Sequence, residues 1–103
     1  MVMRASQFGG GNEGQTVIND TGNAVVYPGD DTVKWLLIVA DINNGGVVFL
    51  HLHPTEPAEW EKGIPLYPGG YVLLSEYDGL YNGVIHGISG AGTTAKLFWH
   101  DGR

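Results

Sequence analysis

The stretch Phe49-Leu50-His51-Leu52-His53-Pro54-Thr55-Glu56 holds the residues best suited to chemistry. His51 and His53 are two apart, so on a β-strand, where side chains alternate, both imidazoles project from one face and can hold a metal ion between them. Glu56 offers a nearby carboxylate as third ligand, and His86 supplies a further imidazole from a later segment. A His-x-His pair on a strand also arises readily by chance. A strand end that leaves the two rings partly exposed, or hydrogen-bonded across subunits, accounts for it without an ion. No metal and no cofactor are therefore expected. Because imidazole titrates near neutrality, the pair would make subunit assembly sensitive to pH.

Other catalytic constellations are missing. The chain has no cysteine, and its serines, at positions 6, 75 and 89, stand in no nucleophile-elbow context, so acyl transfer has no starting point. Glu56, Glu59 and Glu61 crowd one loop, where they read as a solvated acidic tip and not as a pair of carboxylates fixed across a cleft. Gly9-Gly10-Gly11 and the glycines from Gly87 to Gly92 lack the lysine and the strand-to-helix context of a phosphate loop. These absences point away from an enzyme.

The elements that would position these residues are strands. With 103 residues the chain fits one core, and with 43% hydrophobic and 16% charged residues it is not compositionally disordered. Strand-like runs alternate with turn signals: Gln15 to Ile18, Asn23 to Tyr27, Val33 to Ile42, Val47 to His53, Ile64 to Tyr67, Tyr71 to Glu76, Gly83 to Ile88 and Thr93 to His100. Clusters such as Asn43-Asn44-Gly45-Gly46 and Pro68-Gly69-Gly70 separate them. The spacing predicts an all-β fold of about eight short antiparallel strands in a jelly-roll-like β-sandwich over residues 15–103. Residues 1–14, with Gly9-Gly10-Gly11 and Gly14, read as a flexible glycine-rich arm. The one helical candidate is a short turn over residues 56–61, where Pro54, Pro57 and the acidic residues favour it.

Strand periodicity raises a question about Val33 to Ile42. One face carries Val33, Trp35, Leu37, Val39 and Asp41, the other Lys34, Leu36, Ile38, Ala40 and Ile42, so both are largely apolar. A two-layer sandwich should leave one side wet. This strand is therefore expected either to lie under a loop or to meet another subunit. Trp60, Tyr67, Tyr71, Tyr77 and Tyr81 add aromatic area in or near loops, the kind of residue that interface centres recruit. Phe8, Trp35, Leu37, Trp60, Tyr67, Tyr71 and Tyr81 are the candidate interface residues.

Charge narrows the partners. The formal net charge is −6, and the five basic residues, Arg4, Lys34, Lys62, Lys96 and Arg103, are scattered. A nucleic-acid surface needs clustered cations to displace counterions from phosphates, and an anionic membrane needs a polybasic stretch, so neither partner is expected. The N-terminal residues lack the apolar core of a signal peptide, and the longest apolar run, Trp35 to Ala40, is too short to span a bilayer, which predicts synthesis in the cytoplasm.

Two resemblances bear on function. Gly45, His51, His53, Glu56 and Gly63 are similar to the first metal-binding motif of the cupins, but only two residues separate His53 from Glu56 and no second motif follows. Gly63-Ile64-Pro65-Leu66-Tyr67-Pro68-Gly69-Gly70, then Gly83-Val84-Ile85-His86-Gly87-Ile88-Ser89, then Thr93 to Trp99, resembles small β-sandwich virion proteins of tailed bacteriophages. Leu37 to Leu50 stands where those proteins carry the preceding strand and turn, so the likeness runs from Val33 to Trp99. Their usual acidic ending is replaced here by His100-Asp101-Gly102-Arg103. The phage resemblance implies a capsid decoration or cement protein at the virion surface. Its partners would be the major capsid protein and further copies of itself, as dimer or trimer. The alternatives are a receptor- or glycan-binding fibre module using Trp60, Tyr77 and Tyr81 as stacking platforms, and a cupin-like metalloprotein using His51, His53, Glu56 and His86.

Overall fold

The computed structural model describes residues 12–19, 23–75, 81, 83–90 and 94–102. Phe8, Tyr77 and most of the expected arm lie outside the described residues. Eight strands form: β1 (Glu13–Ile18), β2 (Asn23–Tyr27), β3 (Trp35–Ala40), β4 (Val48–Leu52), β5 (Ile64–Leu66), β6 (Tyr71–Ser75), β7 (Ile85–Ser89) and β8 (Ala95–Gly102). Each falls on one of the runs anticipated from turn signals. Among the described residues there is no helix.

The strands make two four-stranded sheets, ordered β1-β8-β3-β6 and β2-β7-β4-β5, with every pairing antiparallel. Every connection except β4 to β5 crosses from one sheet to the other, which is the winding of a jelly roll. Between the sheets lie Ile18, Val26, Tyr27, Leu36, Ile38, Val48, Leu50, Ile85 and Leu97, all essentially sealed from water. A fully buried aliphatic side chain contributes about 1.5–3 kcal/mol, so each of these carries a sizeable share of a small domain's margin.

A polar clamp ties the layers at one end. Tyr27 of β2 donates its hydroxyl to Asp101 Oδ2 of β8 at 2.9 Å, and the backbone amide of Asn12 donates to Oδ1 at 3.0 Å. The Asp101 amide returns a bond to the Asn12 carbonyl at 2.9 Å. Asp101 is only 2% exposed, and these donors compensate the loss of hydration that its carboxylate suffers. Asp101 of the last strand is thus part of the core.

Two expectations need correction. β1 begins at Glu13, so the last two residues assigned to the arm are strand: Gly14 faces Trp99 so closely that any side chain there would strike the indole. Residues 56–61 make no helical turn. Both backbone groups of Ala58 are held by the Asn23 side chain, whose amide nitrogen donates to the Ala58 carbonyl and whose oxygen accepts from the Ala58 amide at 3.3 Å. That clamp occupies the groups a helical turn would use and pins the loop against β2, with Ala58 buried.

Candidate functional site

Alternation along β3 decides which side meets the core. Leu36, Ile38 and Ala40 are buried, so Trp35, Leu37 and Val39 occupy the outer face of the β1-β8-β3-β6 sheet. The registers then line up rows across that sheet. Gln15, Phe98, Val39 and Tyr71 form one row; Glu13, His100, Leu37 and Leu73 form the next; Gly102, Trp35 and Ser75 form a third. The face is therefore largely apolar, with Tyr71 at 69% and Leu73 at 48% exposure on the β6 edge and Val17 at 45% on the β1 edge.

Polar residues border this face on the β1 side. Glu13, Gly14, Gln15, Phe98 and His100 line an open cleft of about 380 Å³, where His100 Nδ1 lies 3.5 Å from Glu13 Oε2. Apolar surface flanked by polar residues is the composition of a protein-binding patch. From strand spacing and rise, four strands by about five residues give a footprint of roughly 300–400 Å². That is within the range of functional patches on small proteins, yet about half of one partner's share in a standard interface.

Three of the candidate interface residues, Trp35, Leu37 and Tyr71, meet on this face. The others do not. Tyr67 stands exposed in the turn between β5 and β6, while Trp60 sits on the opposite side of the molecule, packed edge-on against Phe49 at 5.0 Å. Tyr81 is tucked against the core and donates its hydroxyl to the Val84 carbonyl at 2.7 Å, and burial raises its phenol pKa above the usual value. Phe98, Val39 and Leu73 belong to the patch and were not singled out from sequence. Their signal lies in the two-residue alternation of β8, β3 and β6, where each is an apolar residue out of phase with the core positions.

The histidines lie on the other sheet. Val48 and Leu50 of β4 point into the core, so His51 faces outward, and the register sets His86 of β7 directly opposite it. His53 follows the strand end with its ring stacked on His51, the planes 7° apart and the centroids 5.6 Å apart. The shared face expected for the two imidazoles is thus present. Glu56 Oε2 lies 3.4 Å from His51 Nε2, and Glu56 Oε1 lies 3.9 Å from His53 Nε2. His53 Nδ1 accepts the amides of Thr55 and Glu56 at 3.2 and 3.0 Å, which folds the loop back over the strand.

His51, Glu56, Pro57, Glu59 and Lys62 line a small cleft of about 160 Å³ beneath that loop. Lys62 Nζ sits 2.8 Å from Glu59 Oε2; the hydrogen bond and the opposite charges lower the carboxyl pKa of Glu59 and raise that of Lys62. The cupin-like alternative needs His51, His53, Glu56 and His86 to converge on one ion. Here the interior positions of β4 are aliphatic and the imidazoles stand outside. His51, His53 and Glu56 gather on one outer face, with His86 paired opposite His51.

Comparison with models of known protein families, with curated proteins and with solved structures finds no match. Among the described residues no helix is long and apolar enough to cross a membrane.

Proposed function

We propose that this chain is a structural protein that docks the apolar face of its β1-β8-β3-β6 sheet onto other protein chains, and that it is a decoration or cement subunit on a bacteriophage head. The observation that carries the docking reading is the row structure of that face, which gathers Trp35, Leu37, Val39, Tyr71, Leu73 and Phe98 on the outside of the sheet. The virion setting rests on the turn-and-strand motifs from Val33 to Trp99. The partner is then the major capsid protein, with neighbouring copies of the chain beside it, and the working location is the capsid surface. No catalysis is required of it.

The size of the patch suits this role. A face that covers about half of a standard interface gives modest affinity for one contact, and a shell repeats that contact at every symmetric position. Stabilisation by binding the assembled state then grows with occupancy.

Expanded, undecorated capsids incubated with the protein should acquire regularly spaced density at symmetry axes and resist heating to a higher temperature. Leu37→Glu places a charge in the middle of the face while the chain still folds. At about 2 kcal/mol per lost contact it should weaken capsid binding roughly thirty-fold. Capsids that stay bare at saturating protein exclude the virion setting. Undiminished binding by Leu37→Glu excludes this face.

A further inference from the structure

We propose that the outer face of β4 and the turn after it form a binding site for one divalent transition-metal ion of the zinc type, ligated by His51, His53 and Glu56. One donor atom from each of the three lies within 4.8 Å of the others. Around a tetrahedral zinc ion with nitrogen and oxygen ligands at about 2.0–2.1 Å, neighbouring donors stand roughly 3.3–3.4 Å apart. The His51 to Glu56 edge, at 3.4 Å, already has that length, and the His53 to Glu56 edge, at 3.9 Å, exceeds it by about half an ångström. All three side chains are partly exposed, so small rotations close the difference.

The donor set selects the ion. Two imidazoles and one carboxylate suit zinc and its neighbours, whereas calcium and magnesium prefer oxygen ligands throughout. The surroundings favour a cation as well. The formal net charge is −6, and Lys62, the one cation lining the cleft, is already paired with Glu59.

A second observation is independent of these distances. Among the described residues, His86 Nδ1 is the one buried side-chain nitrogen or oxygen without a hydrogen-bond partner, and His86 stands opposite His51 across the β4–β7 pairing. A buried polar atom left unmatched calls for a missing water or ion, and this one belongs to the residue paired across the strands with His51. It is a third imidazole on the same outer face, available to approach an ion held by the other two.

Ligation also has a structural consequence. His53 Nδ1 accepts two backbone amides, so the neutral ring carries its proton on Nε2. Binding an ion through Nε2 moves that proton to Nδ1, where it confronts the Thr55 and Glu56 amides. The 53–56 turn must therefore open as the ion enters, and the metal and the turn compete for the same ring.

The test is a zinc titration of the full chain, followed by calorimetry and by amide NMR. One zinc per chain with a dissociation constant on the order of 10 µM or tighter is expected, with magnesium and calcium at millimolar levels failing to compete. His51→Ala and Glu56→Gln should each weaken binding about ten-fold or more, and His100→Ala, on the opposite sheet, should leave it unchanged. The Thr55 and Glu56 amide signals should shift on loading. No saturable binding, or binding unaffected by His51→Ala and Glu56→Gln in variants that keep the native amide spectrum, overturns the assignment.

Discussion

Replacing Tyr27 with phenylalanine removes one oxygen from the clamp between the two sheets and leaves the rest of the ring in place. The side chain is 1% exposed and packs edge-on against Trp99 at 5.0 Å, a contact phenylalanine keeps. The lost group is the donor to Asp101 Oδ2 at 2.9 Å. Hydrogen bonds to a charged acceptor contribute about 1.5–3 kcal/mol, and the aspartate is held away from water. For a domain of this length about 1 kcal/mol corresponds to roughly 4–8 °C in Tm, so the variant should melt roughly 6–24 °C lower. Thermal unfolding followed by far-ultraviolet circular dichroism measures this directly. Tyr67→Phe, which removes a hydroxyl from an exposed turn, should stay within about 0.5 kcal/mol of the parent and serves as control. A double-mutant cycle with Asp101→Asn isolates the pair, since the two losses should be far from additive. If Tyr27→Phe melts with the parent protein, Asp101 is not held by this bond and the clamp account is wrong.

Gly63 has φ +95°, and a Cβ there would strike the Leu50 carbonyl oxygen, so Gly63→Ala should cost more than about 1 kcal/mol in urea unfolding, while Gly45→Ala, in open space, should be neutral. The Glu59 and Lys62 pair predicts a pH window. The lowered Glu59 pKa adds stability that is present above the ordinary 4.5 and lost as pH falls through the folded value, and the raised Lys62 pKa adds stability present below 10.5 and lost as pH rises through its folded value. Both groups lie in water, so the effect on global stability is small. Lys62→Met should return the Glu59 titration, followed by carboxyl NMR, to the ordinary carboxylate range.

The strands were legible because their signals are local. Asn43-Asn44-Gly45-Gly46 and Pro68-Gly69-Gly70 end one run and start the next with short-range bonds, such as Asn44 N to the Asp41 carbonyl at 3.0 Å and Gly70 N to the Tyr67 carbonyl at 2.7 Å. What escaped the sequence depends on partners far along the chain. Asp101 reads as part of a polar tail until Tyr27, 74 residues earlier, and Asn12, 89 residues earlier, close on it. The doubly apolar β3 announces that one side must be covered, but periodicity cannot say which side faces the core. Packing of Leu36, Ile38 and Ala40 between the sheets resolves it. The His51 and His53 pair was visible from spacing alone and His86 was named beside it as a candidate, but its place directly opposite His51 required the β4–β7 register.

The two sheets also differ in how they can meet other chains. On the β2-β7-β4-β5 sheet, the edge strand β5 is three residues long with Pro65 at its centre, and a proline there removes a ladder donor and discourages strand addition. Beside it the 53–62 loop is drawn in by Asn23, His53 and the Phe49–Trp60 contact. Among the described residues the β1-β8-β3-β6 sheet has neither protection on its β6 side: that edge strand runs five residues without proline and carries Tyr71 and Leu73 outward. Apolar surface left uncovered at a sheet edge invites indiscriminate association unless something limits it. On the proposed docking reading, the limit is the charged and polar border of Glu13, Gln15, Lys96 and His100 along the opposite side, which a partner would have to match as it covers the centre. Selectivity for one surface would then come from the β1 and β8 border and adhesion from β3 and β6. Substitutions in the two halves should separate accordingly: changes at Leu37 or Leu73 weaken binding to every partner surface, and charge reversal at Glu13 or Lys96 alters which surface is bound.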